Sequence, residues 1–407
     1  MCNPARRRYT LAAEQISTQS LTQSLNDKDT VVVDVRPIAA YNGWCLRNEP
    51  RGGHIQGAKT FPLSWIATDQ RSDLLQSKGI TPEKQIILYG YDPDNAQQMA
   101  AVLTAAGYQN VSVYNQFIDE WSSDTNKPMD HLPRFQQLVY PQWVNTLIEG
   151  RTPPLLDNKD VVIGHATYGY REDYEAGHIP GAVHVDTIAL EDPISWNRRT
   201  PEELRKALLS LGIRHDTTVI MYGRFNHPDN DDPYPGKFAG HIAAMRCALI
   251  MKYAGVEDVR ILNGGLFAWN LERLPTTAEE PDIRPKDDFG VEIPAHPEFI
   301  VDLPQAKAML ESDDSELVSV RSWEEFVGGV SGYHYVPMAG RIPGAVFGNC
   351  GSDAYHMENY RNVDHTMREY HEVRANWAEN GIVPEKHIAF YCGTGWRASE
   401  AMFNAYF

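Results

Sequence analysis

Gly177-His178-Ile179-Pro180-Gly181-Ala182 is a tight turn that the chain writes three times. The other copies are Gly53-His54-Ile55-Gln56-Gly57-Ala58 and Gly340-Arg341-Ile342-Pro343-Gly344-Ala345. Self-similarity at this scale decides the domain organisation. Outward from each turn the same neighbours recur. Before it stands a β-rich run: Val31-Val-Val-Asp-Val35, Val161-Val-Ile163 and Leu317-Val-Ser-Val320. After it, beyond a helical stretch of variable length, comes a second β run ending in Tyr: Ile86-Ile-Leu-Tyr89, Val219-Ile-Met-Tyr222 and Ile388-Ala-Phe-Tyr391. A loop and an Ala-rich helical segment follow. In the first two copies a third β run closes the unit, Val111-Ser-Val-Tyr114 leading to Trp121 and Val259-Arg-Ile-Leu262 leading to Trp269.

Strands alternating with helices at this spacing read as βαβ units, that is, an α/β fold with mainly parallel sheets flanked by helices. Three tandem domains are expected near residues 1–130, 131–280 and 295–407, each with a five-stranded sheet except the third. After Tyr391 too few residues remain for the last strand, so the third domain is expected to lack it. An empty strand slot leaves backbone donors and acceptors unpaired. Weaker protection from hydrogen exchange near Cys392 is the expected consequence. The Pro- and charge-rich segment 275–297 reads as an extended linker lying over a domain surface.

The 407 residues carry 37 Lys and Arg against 54 Asp and Glu, a formal charge of −17. That balance argues against a nucleic-acid partner or an anionic membrane surface. With 42% hydrophobic and 22% charged residues, the chain has enough apolar material for several cores. No apolar run is long enough to span a bilayer. No signal peptide is visible at the start, since Glu14 and Gln15 interrupt any apolar region after Arg6, Arg7 and Arg8. The expected compartment is the cytoplasm, or the periplasm if a signal peptide has been cropped. The five cysteines, Cys2, Cys45, Cys247, Cys350 and Cys392, show no CxxC spacing. Neither a disulfide framework nor a zinc site is expected.

One of these cysteines sits in a chemical position. Ligands of parallel sheets bind beyond the carboxyl ends of strands. The loop after the Tyr-ending strand occupies that place. In the third repeat it reads Cys392-Gly393-Thr394-Gly395-Trp396-Arg397-Ala398, whereas Gly90 and Gly223 stand in place of the cysteine in the other two. Asn95 stands where Arg397 does, and Asp92 and Asp94 would repel an anion. A Gly-rich turn aims backbone N–H groups inward, the following helix adds partial positive charge, and Arg397 adds a full one. Such surroundings favour a thiolate, the competent nucleophile, and would hold a persulfide equally well. The Cys-x4-Arg ring is one residue shorter than the Cys-x5-Arg loop of cysteine phosphatases and arsenate reductases. It suits a sulfane sulfur better than a tetrahedral oxyanion.

The turn, the closing Asn263-Gly-Gly-Leu-Phe-Ala-Trp269 and the Cys392–Ala398 loop together resemble the rhodanese (thiosulfate sulfurtransferase) family across nearly the whole chain. The subgroup it is similar to is the bacterial three-domain rhodaneses whose one active cysteine lies in the C-terminal domain. The resemblance implies double displacement: Cys392 as nucleophile takes sulfur from thiosulfate or a similar donor and passes it, as a persulfide, to a thiophilic acceptor. It implies Gly393, Thr394, Gly395 and Trp396 as the substrate cradle, Arg397 as the residue that orients the donor, and no cofactor or metal. It implies as partners a small anionic donor and a cysteine desulfurase or ubiquitin-like sulfur carrier. The expected state is a monomer. The rival reading is a catalytically impaired scaffold that binds a sulfur-carrier partner. The family's Asp-Val-Arg survives as Asp34-Val35-Arg36, but the third repeat has Ser319-Val320-Arg321 and replaces the turn's His with Arg341, leaving two further arginines as site candidates.

Bland readings are expected elsewhere. His54 and His178 brace their turns. Cys45, Cys247 and Cys350 are packing or surface thiols. Trp396 is a loop wall or an exposed aromatic. The Asn/Asp/Pro-rich insertion at 225–237 is a solvated loop, with a metal or partner site there as a minority reading.

Overall fold

The Val- and Ile-rich runs form parallel strands buried on both faces, as expected where helices cover a sheet. In this computed structural model, residues 12–158, 160–224, 240–333 and 335–407 are described. The chain divides into two compact units, residues 1–135 and 136–407.

In the first unit a five-stranded sheet has the order Glu14–Gln15, Val111–Tyr114, Gln85–Tyr89, Thr30–Asp34, Lys59–Thr60. All neighbours run parallel. The Pro-containing segment after Lys127 stays with this unit, because Met129–Asp130 pairs antiparallel with His54–Ile55 of the turn.

The second unit holds the other two repeats. The second repeat has a five-stranded parallel sheet in the order Ala182–Asp186, Val161–Thr167, Thr218–Gly223, Asp258–Leu262, Leu138–Val139. The third has three strands among the described residues: Val346–Phe347, Ser315–Ser319, His387–Tyr391. Among the described residues no strand pairs with the far edge of His387–Tyr391, where Val111–Tyr114 and Asp258–Leu262 lie in the other sheets. The missing neighbour shows in burial. Tyr89 and Tyr222 are fully buried, while the last four residues of His387–Tyr391 are half-buried.

The segment after residue 275 is extended along the second repeat, as expected. Thr277 and His178 exchange backbone hydrogen bonds at 2.9 Å, the Lys286 N–H donates to the Leu209 carbonyl, and the Phe289 ring is fully buried. The helix Gly240–Ala254 is apolar almost all round and buried along nearly its whole length. It packs on the second repeat's own strands and on the third repeat's helix Trp396–Tyr406. A helix that is apolar all round needs cover on every side, and the neighbouring repeat supplies part of it. Among the described residues, no helix is long and apolar enough to cross a membrane.

The repeated turn has one structural job. In each repeat its Ile N–H donates to the hydroxyl of the Tyr that ends the second β run: Ile55 to Tyr89 at 3.1 Å, Ile179 to Tyr222 at 2.9 Å, Ile342 to Tyr391 at 3.1 Å. The turn histidines act as braces. His54 stacks on Tyr41 with ring centroids 3.6 Å apart, and His178 stacks on Tyr174 at 3.7 Å. In the third repeat Arg341 takes the place of His and lies over Phe326 at 4.6 Å.

Candidate active site

Strand His387–Tyr391 delivers Cys392 to the carboxyl edge of the third sheet, and helix Trp396–Tyr406 begins four residues later. Gly395 closes the intervening turn at φ +88°, a left-handed conformation that glycine adopts freely. The Gly395 N–H donates to Cys392 Sγ at 3.2 Å, and the N–H groups of Thr394 and Ala398 also favour the sulfur's charged form. Gly393 answers to a different constraint. A Cβ there would run into the ring of Tyr333, so only glycine lets that tyrosine close over the loop.

Cys392 is half-buried. Burial alone would raise its pKa, but Arg397 and the three backbone N–H groups outweigh it, and the thiol is lowered from its ordinary value. The two other described thiols that are buried behave oppositely. Burial drives Cys247 well up, and pushes Cys350 up to about 12 in spite of Arg397. Cys45 is exposed, and Cys2 lies outside the described residues.

Arg397 is 1% exposed and densely partnered. Its guanidinium is bidentate to Glu325, at 2.9 and 2.7 Å, and also donates to the Asp353 carbonyl at 3.0 Å, Cys350 Sγ at 3.3 Å and the Tyr333 hydroxyl at 2.5 Å. Burial opposes ionisation of Glu325, yet Arg397 and the Ser322 capping bonds hold its carboxyl below the ordinary range. Arg397 is therefore a buried, fixed charge beside the loop. The two other candidate arginines serve structure. Arg321 bonds Ser319 Oγ and the Gly340 carbonyl, and Arg341 bonds the Phe326 carbonyl.

A cavity of about 750 Å³ opens beside the loop. Gly393, Thr394, Trp396, Arg397, Tyr333, Tyr335 and Tyr355 line it from the third repeat, and Tyr168, Tyr170, Ile194, Trp196 and Ile242 line it from the second. Trp396 is a wall, not an exposed ring. It is 7% exposed and meets Tyr168 edge-on at 5.3 Å and Trp196 at 6.1 Å. Trp196 in turn faces Tyr335 at 5.2 Å. The Tyr333 hydroxyl accepts from Arg397 and, at 3.4 Å, from the Gly393 N–H. With two N–H donors already aimed at its oxygen, its own proton is left to point elsewhere. Burial, helped by the charge of Cys392, raises its pKa, so that proton is retained.

The loop residues expected from sequence thus come together around Cys392. Glu325, Tyr333, Cys350 and the second repeat's aromatic wall did not stand out. They come from segments far apart in the chain with no shared motif. The available signal was aromatic density in loops, Tyr168, Tyr170, Tyr333, Tyr335 and Tyr355. The insertion at 225–237, with its minority metal or partner reading, lies outside the described residues.

A rhodanese-like domain model matches residues 17–124, 141–272 and 302–406. The chain belongs to the rhodanese family. Over 398 residues it is 39% identical to the thiosulfate sulfurtransferase YnjE of Escherichia coli K12, covering 97% of this chain and 86% of that one. It is 29% identical to the sulfur carrier protein TtuD of Thermus thermophilus, over 65% of this chain and 85% of that one. Among solved structures, the anaerobic ergothioneine biosynthesis enzyme of Chlorobium limicola, in complex with its natural substrate trimethyl histidine, superposes with a TM-score of 0.94. It is 52% identical, covering 97% of this chain and 93% of that one. A structure of EanB with a cysteine persulfide in a tetrahedral intermediate state with ergothioneine superposes at 0.93, with 52% identity, 96% of this chain and 93% of that one. This rhodanese is an enzyme of the sulfurtransferase type.

Proposed function

We propose that the protein carries a sulfane sulfur as a persulfide on Cys392 and delivers it to the imidazole ring of a trimethylated histidine, making the 2-thio product. The observation that carries this reading is the aromatic cavity beside the Cys392 loop. Tyr168, Trp196, Tyr335 and Trp396 present ring faces and edges of the kind that hold a quaternary ammonium. The EanB structures support the assignment by spacing. There, variants were made at a tyrosine fifty-nine positions before the persulfide cysteine and at a threonine two positions after it, and Tyr333 and Thr394 stand at the same distances from Cys392.

The chemistry balances in two steps. In loading, the Cys392 thiolate attacks the outer sulfur of thiosulfate or a similar sulfane donor. A new S–S bond forms, the donor's S–S bond breaks, and sulfite leaves with the electron pair. In delivery, a C–S bond forms at the ring carbon between the two imidazole nitrogens. That carbon gives up its proton, and the S–S bond breaks with its pair returning to the Cys392 sulfur. A persulfide and a C–H become a thiol and a thione, with no external oxidant. In this reading Tyr333 gives a proton to a ring nitrogen as the carbon is attacked, and recovers one as aromaticity returns.

The 39% identity with a thiosulfate sulfurtransferase favours a second reading, in which the acceptor is a small thiophile such as cyanide. Intact mass separates the two. Thiosulfate should add one sulfur to the protein and none to Cys392→Ser. Trimethyl histidine should then discharge it into a thiolated product. A loaded protein that discharges to cyanide but not to trimethyl histidine would establish the second reading. A protein that never loads from any sulfane donor would favour the impaired scaffold.

A further inference from the structure

Two side chains of the second repeat grip the third repeat's loop. Glu191 follows the strand Ala182–Asp186 and the short helix Thr187–Ala189, and it is fully buried. One carboxylate oxygen accepts the Trp396 indole N–H at 2.6 Å. The other accepts from Arg246 Nε at 2.9 Å. Arg246 lies on the helix Gly240–Ala254, is 6% exposed, and also donates to the Trp196 carbonyl at 3.2 Å. Its Nη1 stands 3.1 Å from where a Cβ on Gly395 would be, so the guanidinium backs directly onto the turn that aims an N–H at Cys392. A buried ion pair is a poor route to stability, because desolvation offsets most of the attraction. This one sets one carboxylate oxygen on the Trp396 indole and, through the other, holds a guanidinium against Gly395 and the Trp196 carbonyl.

We propose that Glu191 and Arg246 are positioning residues: from the repeat whose loop carries Gly223 in place of the cysteine, they fix the Trp396 indole as a cavity wall and hold Gly395 so that its N–H stays on Cys392 Sγ. Glu191 and Arg246 touch neither substrate nor sulfur themselves. Loss of the grip should therefore loosen acceptor binding and weaken support of the thiolate together. The turnover arm of this inference rests on the persulfide reading above, and the alkylation arm does not.

The test uses the full-length chain. Cys392 is alkylated with iodoacetamide across pH and read by peptide mass, in wild type, Glu191→Leu, Glu191→Gln, Trp396→Phe and the Glu191→Leu/Trp396→Phe pair. Steady-state turnover with trimethyl histidine runs in parallel. Trp396→Phe keeps an aromatic ring and deletes the N–H that Glu191 accepts. Glu191→Leu and Trp396→Phe should each raise the alkylation midpoint by about half a pH unit or more. Each should also raise KM roughly fivefold or more while changing kcat less. The pair should be no worse than Glu191→Leu alone, since both remove one bond. Glu191→Gln keeps an acceptor for the indole and should fall between wild type and Glu191→Leu. Unchanged midpoint and KM in folded Trp396→Phe, or fully additive effects in the pair, would overturn the proposal. If Glu191→Leu does not fold, Trp396→Phe and Glu191→Gln decide it. If wild type loads no sulfur, the persulfide reading fails and the alkylation midpoints still judge the grip.

Discussion

The second and third repeats share their scaffold down to single hydrogen bonds and differ in what they can do. Tyr222 and Tyr391 each accept the Ile N–H of the turn, and each pairs in register with one residue of the neighbouring strand, His165 or Ser319. Past the tyrosine they diverge. In the second repeat Gly223 lies so close to the Gly240 carbonyl that no side chain fits, and Arg224 is bonded to Asp173 at 2.6 Å. His165 is buried with neither ring nitrogen partnered, and burial drops its pKa to about 3. In the third repeat the same position admits Cys392, three backbone N–H groups face it, and a buried arginine lies behind it. The fold device is indifferent to chemistry. The chemistry needs space at one residue and a fixed charge behind it.

The largest effect should come from erasing that difference. Cys392→Ser should cut sulfur transfer by about ten-thousandfold or more, since an alcohol cannot carry a sulfane sulfur at this site. Stopped-time assays of sulfite release and thiolated product check it. The reciprocal change, Gly223→Cys, should create no second site, because the thiol has no room. Tyr333→Phe comes next. Removal of a general acid should lower kcat for the imidazole acceptor by roughly a hundredfold while leaving Cys392 loading from thiosulfate largely intact. Equal loss in both half-reactions would place Tyr333 in the loop's support instead.

Those two expectations also measure what the amino-acid pattern discloses. The tandem repeats, the Tyr-ending strands, the shortened third sheet and the Cys392 loop were legible because each is local: a period, a β run, a glycine turn, a cysteine at fixed spacing. Glu325 was not legible. Its capping box with Ser322 is an ordinary helix start, and only the fold brings it to Arg397 seventy-two residues later. The carboxylate partner of Arg397 was hidden for the same reason, since sequence shows the charge and not what pairs with it. Cys350 looked like packing. It is packing, but against the guanidinium of Arg397.

Glu325 supplies the next prediction. With both side chains of the Glu325–Arg397 pair almost fully buried, Glu325→Gln strands a buried cation and should cost about 3 kcal/mol, read by urea unfolding. The pH sign follows from the lowered carboxyl. Its contribution is fully present above the unfolded glutamate value of about 4.3. It is lost as pH falls through the lower folded value. Wild type should thus lose stability in acid, and Glu325→Gln should lose less of it over that window. The smallest effect belongs to the turn. Arg341→Leu removes the cation over Phe326 and should cost about 1 kcal/mol or less, with turnover nearly unchanged. A large loss of activity would mean that the substitution of His by Arg in this repeat serves the site after all.

The cavity is walled by two repeats, while its nucleophile comes from one. Duplication of a domain ordinarily leaves a spare copy free to decay. Here the copy with Gly223 in place of the cysteine contributes Tyr168 and Trp196 to the chamber where the acceptor would sit. Substitutions at Tyr168 or Trp196 would then change which molecule is accepted, whereas substitutions at Glu191 or Arg246 of the same copy would reach the Cys392 loop. Placing acceptor contact and loop support on different side chains of one repeat gives selection a way to try new acceptors without risking the thiolate.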